Sequence, residues 1–193
     1  RKPQLEPAQV GIKRLVVKAP AKLPYLSMVW KVPALRDLNK EREPYALEVL
    51  AAVLDGHEGA RFARNLVRGT RVAVSAGAGY DATVRGEALF SVAGTPAEGR
   101  TVNDLEAALR AEIARVVNEG VSAEELERVK TQTIAAQVYK RDSLLAKIRS
   151  VTAEEVQAVA KKYFGDATLT AAVLDPQPLP EGAPQKSAAT TRH

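Results

Sequence analysis

The stretch Gly120-Val-Ser-Ala-Glu-Glu-Leu-Glu-Arg-Val-Lys130 contains a helix stop and a helix start in one short segment. Gly120 ends the helical pattern before it, and Ser122 with Glu125 forms the S-x-x-E capping box that opens a new helix. Beyond the box, apolar residues recur on one helical face, at Leu126, Val129, Ile134 and Val138. The segment therefore predicts a helix over residues 122–140 that directly follows another helix.

Helical patterns also lie on both sides of this segment. Residues 101–118 predict a capped helix that we expect to pair antiparallel with the 122–140 helix, with apolar faces that meet the sheet or one another. Downstream, Thr152-Ala-Glu-Glu155 predicts a further helix that ends at Gly165. Upstream, residues 44–54 and 60–67 predict two short helices.

Five short runs have the Val-rich or alternating pattern of β-strands. They are Ile12–Ala19, Tyr25–Lys31, Arg71–Ser75, Glu87–Ala93 and Thr168–Leu174. The third and fourth runs predict an antiparallel hairpin, in which the third run relaxes into the loop-like Gly77-Ala-Gly79-Tyr80. Runs of strands followed by runs of helices favour the α+β class. We expect a mixed, mostly antiparallel sheet of five or more strands with helices packed on one face.

Length and composition indicate one domain. Residues 1–10 predict a linker, residues 11–175 the domain, and the proline-rich residues 176–193 a disordered tail. No apolar run is long enough to predict a membrane span, and no apolar core follows Arg1 to predict a signal peptide. Because the chain does not begin with Met, it fits a fragment of a longer, processed protein.

The net charge and the absence of cysteine exclude several classes of function for this chain. The chain has no cysteine, which excludes disulfides, thiol nucleophiles and thiolate metal sites. Its net charge of +5 arises within residues 1–50, where basic residues are scattered among strand and loop patterns. A solvated face, or an arm that pairs with an acidic partner, explains this scatter better than nucleic-acid binding does.

Catalytic patterns are incomplete. The two histidines are His57 and His193, and His57-Glu58-Gly59-Ala60-Arg61 resembles the zinc-binding H-E-x-x-H motif. Arg61 stands where the second histidine would be, and a permanent cation cannot bind the metal. The nucleophile elbow G-x-S-x-G is missing, and the pair of glycines at 77 and 79 lacks the rest of a phosphate loop. We therefore predict no catalytic residue and no metal ligand, and we expect His57 to lie at a surface or a helix start.

The order of these segments resembles the pitrilysin/insulinase family of zinc peptidases. Gly120–Lys130 is close to the family phrase G-[IV]-[ST]-x-E-E-L-E-R-A-K. The family strand that reads roughly L-A-Y-S-V corresponds to Val72–Ala76. The other similar segments are Tyr45–Leu54, residues 56–66, Leu89–Gly94, Thr101–Asn118 and Ile148–Phe164. The resemblance covers about residues 10–175.

The resemblance implies the non-catalytic half of a clamshell of paired domains. Family catalytic domains bind zinc through H-x-x-E-H, which this chain lacks, so zinc is expected only in a homologous catalytic partner domain. The family's companion domain often contacts the peptide substrate through an Arg and a Tyr seven residues later. Val67 and Val74 replace them here, while Arg68, Arg71 and Tyr80 lie near enough in the sequence to contact peptide.

Several alternatives stay open at this level. The chain could complete the peptide chamber of a protease, or act as a catalytically inactive assembly scaffold without a protease partner. Only Leu144–Lys147 stand where the family usually has a further helical segment, through either a deletion or a segment missing from the sequence. The resemblance favours a periplasmic or secreted location without excluding the cytoplasm. An isolated half-clamshell is also expected to form a homodimer, by its helical or strand-edge surface.

Overall fold

The computed structural model describes residues 8–136 and 142–179. Five strands are present, at Lys13–Pro20 (β1), Tyr25–Val32 (β2), Ala73–Tyr80 (β3), Ala88–Pro96 (β4) and Leu169–Gln177 (β5). Five α-helices are present, at Glu43–Asp55 (α1), Val102–Glu119 (α2), Ala123–Ala136 (α3), Asp142–Arg149 (α4) and Ala153–Tyr163 (α5). A π-helix spans Phe62–Gly69, and a single 3₁₀ turn spans Asp166–Thr168.

The strands form one mixed sheet in the order β1-β5-β2-β4-β3. β1 runs parallel to β5, whereas the β5–β2, β2–β4 and β4–β3 pairs are antiparallel. The predicted α+β class and the mostly antiparallel sheet are confirmed. The same order places β1 and β3 at the two edges of the sheet.

The two faces of the sheet differ sharply in burial. Trp30 of β2 lies opposite Phe90 of β4, and both are buried against the helices. Side chains at the alternate positions of β2 and β4 point to the opposite side of the sheet, where Tyr25 is 44% exposed and Leu89 is 49% exposed. We call this second side the open face; its apolar members are Leu15, Val17, Tyr25, Val29, Leu89 and Leu174.

The helices pack on the buried side of the sheet. α1 packs against β3 and α5, and α2 packs against β4, β2 and α5. α3 packs mainly on α1, and its residues Leu126 and Val129 are buried. The expected antiparallel pairing of α2 with α3 is therefore wrong, although α2 meets the sheet as expected: α2 packs against β4, β2 and α5, whereas α3 packs against α1 and α4.

Three strands extend at least three residues beyond their predicted ends. β4 continues from Ala93 to Pro96 because it pairs with β3 as far as Ala73. β3 continues to Tyr80, through the glycines expected to leave the strand, because Ala76, Ala78 and Tyr80 pack against the core. β5 continues to Gln177, two residues into the predicted tail, because it pairs with β1 up to Pro20. Residues 180–193 of that tail lie outside the described residues, as do residues 1–7 of the predicted linker.

The helical region after residue 122 is divided differently from the prediction. α3 is described to Ala136, and residues 137–140 of the predicted helix lie outside the described residues. The segment expected to be a short connection, Leu144–Lys147, belongs to the helix α4. This segment is therefore helical, whether or not it is shorter than the corresponding segment in the family. Ile148 of α4 is buried in the core, and this burial anchors the helix to the rest of the domain.

Candidate functional site

The turn between α1 and the π-helix contains the incomplete H-E-x-x-H motif. The Nδ1 atom of His57 accepts a hydrogen bond from the backbone N–H of Gly59, at 2.9 Å. Its Nε2 atom is buried and has no hydrogen-bond partner among the described residues. His57 thus lies half-buried in the turn between α1 and the π-helix, rather than at the expected surface or helix start, and its ring is held by the local backbone.

Arg61, at the position of the missing second histidine, forms a largely buried ion pair. Its Nε atom donates to Oε1 of Glu125 at 3.0 Å, and its Nη2 atom donates to Oε2 at 2.7 Å. The two side chains are only 11% and 13% exposed. Burial opposes ionisation of Glu125, but the bonds from Arg61 outweigh it and lower the pKa of that carboxyl. Nη2 also donates to the carbonyl of Gly120, at 3.1 Å.

The position of the Glu125 side chain is explained by its ion pair with Arg61 rather than by helix capping alone. The Ser122 hydroxyl accepts the N–H of Glu125 at 3.2 Å, as expected for a capping residue. The Glu125 carboxylate, however, binds Arg61 on the π-helix side of the molecule. Among the described residues, no group of three or more His, Cys, Asp or Glu side chains is arranged to hold a metal ion. The site around His57 therefore has a structural ion pair in place of a second metal ligand.

The three candidate peptide-contacting residues lie at opposite ends of β3. Arg68 and Arg71 precede the strand and are exposed, whereas Tyr80 is its last residue. A strand rises about 3.3 Å per residue, so roughly 23 Å separate the ends of β3. Arg68 donates to the carbonyl of Glu58, and Arg71 has a left-handed backbone with φ of 51°. The structure does not bring these residues together into one site.

Tyr80 contributes to the core packing of the sheet. Its hydroxyl donates to the carbonyl of Pro33 at 2.6 Å, and its ring stacks on Phe90 with centroids 6.3 Å apart. Burial raises the pKa of the Tyr80 hydroxyl, with a smaller contribution from the nearby carboxylate of Glu48. Contact with peptide stays a prediction for all three residues, and Tyr80 would need to release Pro33 to donate to a ligand.

The two valines that replace the family's Arg and Tyr have different surroundings. Val67 of the π-helix is partly buried and packs against the core. Val74 is 57% exposed and lies where the β3–β4 register shifts, between Ala73 and Ser75. An apolar side chain at this bulge adds to the exposed apolar surface and supplies no hydrogen bond.

A feature that the sequence analysis missed lies along the outer edge of β3. Oδ2 of Asp55, the last residue of α1, accepts the backbone N–H of Ala78 at 3.2 Å. Burial raises the pKa of the Asp55 carboxyl, and the bond from Ala78 offsets part of that effect. A methyl group on Gly77 would come within 3.0 Å of the same carboxylate, so glycine makes this approach feasible.

Two depressions meet at Asp55. One, of about 390 Å³, lies on the open face and is lined by Tyr25, Asp55, Ser91, Ala93, Gly94 and β3 residues 75–79. The other, of about 270 Å³, lies between β3, α1 and α3 and includes Glu48, Asp55, Tyr80 and Gln132. Asp55, Ala78 and Gly79 line both depressions. We call the two together the β3 furrow.

The fold has close counterparts among solved structures. The chain superposes on a protease from Helicobacter pylori with a TM-score of 0.78 and 19% identity, covering 88% of this chain and 46% of that one. A peptidase M16 inactive domain from Pseudomonas fluorescens gives 0.72 and 12%, covering 91% and 47%. The chain thus spans about half the length of these two proteins. The inactive peptidase domain from Bordetella parapertussis gives 0.68 and 16%, covering 87% and 98%.

The mixed five-stranded sheet with helices on one side is the fold of these structures, and the H-E-x-x-H-like motif of this chain has Arg61 in place of the second histidine. The sequence matches the peptidase M16 inactive domain over residues 1–133. The chain belongs to this family. No curated protein matches its sequence. No helix among the described residues is long and apolar enough to cross a membrane.

Proposed function

We propose that this chain is the non-catalytic half of a zinc peptidase, pairing with a catalytic H-x-x-E-H domain to complete a peptide-binding chamber. The observation that carries the proposal is the open face of the sheet in a chain of the M16 inactive-domain family. Leu15 and Val17 are 54% and 52% exposed there, on the same face as Tyr25 and Leu89. Exposed apolar side chains gathered on one face of a sheet often mark an interface.

The half-length match supports the same proposal. A chain that covers 46% of a protease leaves room in that protein for a second domain of similar size. The proposed division of labour places zinc and water activation in the companion domain. This chain supplies a second wall, through its open face and the β3 edge. Arg68, Arg71 and Tyr80 are proposed to contact peptide only at the rim of that wall.

The test is reconstitution with a catalytic M16 domain from the same gene neighbourhood. We expect the two domains to co-elute in gel filtration and to cleave unstructured peptides faster together than the catalytic domain does alone. Leu89→Asp, on the open face, should weaken both effects. Leu38→Asp is the matched control, because Leu38 is 43% exposed but lies in the loop before α1. A complex that forms without any gain in cleavage would favour the scaffold alternative.

Nucleic-acid binding gains no support from the placement of the basic residues. Arg14 pairs with Glu106, Lys31 with Glu87, Lys40 with Asp37 and Arg42 with Glu155. These pairs lie on β1, β2, the loop before α1 and the start of α1, so neighbouring carboxylates offset much of the N-terminal charge.

A further inference from the structure

We propose that the exposed helix side of β1 and the turn after this strand form a docking surface for an anionic lipid bilayer. The proposal goes beyond the proposed function, because it concerns the outer border of the sheet rather than the open face. We call this surface the β1 stripe; its members are Val16, Lys18, Lys22 and Leu23, whose side chains are all exposed.

Val16 lies on the side of β1 that faces the helical layer, yet that layer leaves it uncovered. α2 reaches β1 through the ion pair of Glu106 with Arg14. Val16 is the next residue on the same side of the strand and is 66% exposed. Lys18 follows on this side and is exposed as well. An apolar side chain and a cation therefore stand next to each other at the border of the sheet.

The turn after β1 repeats this combination. The N–H of Ala21 donates to the carbonyl of Gln177 at 3.2 Å, which fixes the start of the turn against the end of β5. Lys22 and Leu23 follow, and Leu23 is 55% exposed. Pro24 then leads into β2. The turn thus presents a second cation beside a second exposed apolar side chain, close to Lys18 in the chain.

The part of the chain around the β1 stripe is basic. No Asp or Glu occurs between Glu6 and Asp37 in the sequence. Asp175 of β5 lies beside Lys18 in the strand register, but neither Lys18 nor Lys22 forms an ion pair with any residue that the structure describes. Two cations without an ion pair, next to exposed apolar side chains, fit a partner whose negative charges lie above an apolar layer.

A bilayer with anionic lipids offers both components at one surface. Lipid phosphates attract the lysines, and each Lys near such a surface raises the affinity about fivefold. The boundary below the headgroups accepts Val16 and Leu23, and the aliphatic stems of the lysines lie along it. β1 is an edge strand, so the contact ends at headgroup depth, where water and phosphate can bind its outer backbone groups.

The first experiment is co-sedimentation of the 193-residue chain with phosphatidylcholine vesicles, either pure or with about one phosphatidylglycerol in three lipids. We expect binding only to the anionic vesicles, and less of it at high salt. Lys18→Glu and Lys22→Glu should each weaken binding at least about tenfold. Lys40→Glu is the matched control, because it makes the same charge change at a side chain that is 85% exposed in the loop before α1. Equal losses in all three variants would overturn the assignment to the stripe.

A fluorescent label at a single site tests where the lipid lies. The chain has no cysteine, so Leu23→Cys can carry one nitrobenzoxadiazole label in the turn. We expect its emission to shift to the blue and to strengthen on anionic vesicles, because the label leaves water. The same label at Leu89→Cys, on the open face, should not respond. A response at position 89 without one at position 23 would place the lipid on the open face and overturn the proposal.

Apolar substitutions distinguish a bilayer from an acidic protein as the partner. Val16→Ser and Leu23→Ser should each weaken vesicle binding about fivefold, because each removes an apolar side chain without changing the charge. Both positions are exposed, so circular dichroism should show unaltered folding. Binding that resists both changes and is matched by soluble polyglutamate would indicate an acidic protein instead. That result, or no binding to anionic vesicles, would overturn the proposal. A failed reconstitution with a catalytic domain would leave these measurements unaffected.

Discussion

Arg14 on the edge strand β1 and Glu106 on helix α2 form a two-pronged ion pair. Nη1 of Arg14 donates to Oε2 at 2.8 Å, and Nη2 donates to Oε1 at 2.7 Å. Arg110 adds a third bond to Oε1 at 2.9 Å, so one largely buried carboxylate joins β1 to the helical layer. This contact supports a strand whose only sheet partner among the described residues is β5.

Stability should therefore depend on the protonation of Glu106. The hydrogen bond from Arg14 lowers the pKa of Glu106; burial opposes this shift, and Arg110 adds to it. Because the folded pKa lies below the unfolded value of about 4.3, the contribution is present above that value. It is lost as the pH falls through the lower folded value. Urea denaturation between pH 7 and pH 3 should show this loss, with a shallower dependence for Glu106→Gln. Glu98→Gln, at an exposed turn, should follow the unaltered chain.

Breaking the Arg61–Glu125 pair should be costly. Arg61→Ala leaves a nearly buried carboxylate and the Gly120 carbonyl without their donor, which costs about 3 kcal/mol of unfolding free energy. The double substitution Arg61→Leu with Glu125→Leu should recover part of this loss, because no unpaired charge stays buried. Denaturant titrations of Arg61→Leu, Glu125→Leu and the double variant give the coupling energy. Purely additive losses would show that the pair is not coupled.

The isolated chain should neither retain zinc nor cleave peptides. Its sequence supplies His57 without a second histidine four residues later, and Arg61 is held by Glu125. Even Arg61→His should not create a tight site, because a catalytic zinc needs a third protein ligand. Metal analysis after dialysis against a weak chelator is the measurement. Stoichiometric zinc that disappears in His57→Ala would contradict the prediction.

Self-association of the isolated chain should use the open face. Val17 and Val16 are neighbours in β1 with exposures of 52% and 66%, but Val17 lies on the open face and Val16 on the helix side. We expect light scattering to show concentration-dependent dimers that Val17→Asp removes and Val16→Asp leaves intact. A strict monomer at high concentration, or equal sensitivity to both changes, would refute this surface assignment.

Much of the fold follows from local patterns. The alternating runs predicted all five strands, and two helix starts were predicted from residues that cap them. Thr101 and Asp104 exchange hydrogen bonds as a full capping box, as do Thr152 and Glu155. These features depend on residues three apart in the sequence, so they require no knowledge of distant contacts.

The rest of the site depends on contacts across the chain. Gly77 and Gly79 resemble a loop in sequence, yet pairing with β4 and core packing of their neighbours keep them in β3. Asp55 resembles a simple helix end, and only the packing of α1 on β3 brings its carboxylate to Ala78. Proximity in sequence likewise suggested one site for Arg68, Arg71 and Tyr80. The extended strand between them separates the arginines from the tyrosine.

The parallel pairing of β1 with β5 also sets the order in which the molecule can be completed. Lys13 pairs with Thr170 and Pro20 with Gln177, so the first of the five strands in the chain order bonds to the fifth. Closing so long a loop carries a large entropic cost, and contacts of this range form late and slowly. During synthesis, the backbone hydrogen-bonding groups of β1 must wait for a partner until β5 has emerged. A strand that pairs this late is exposed to edge-to-edge association with other chains until β5 reaches it.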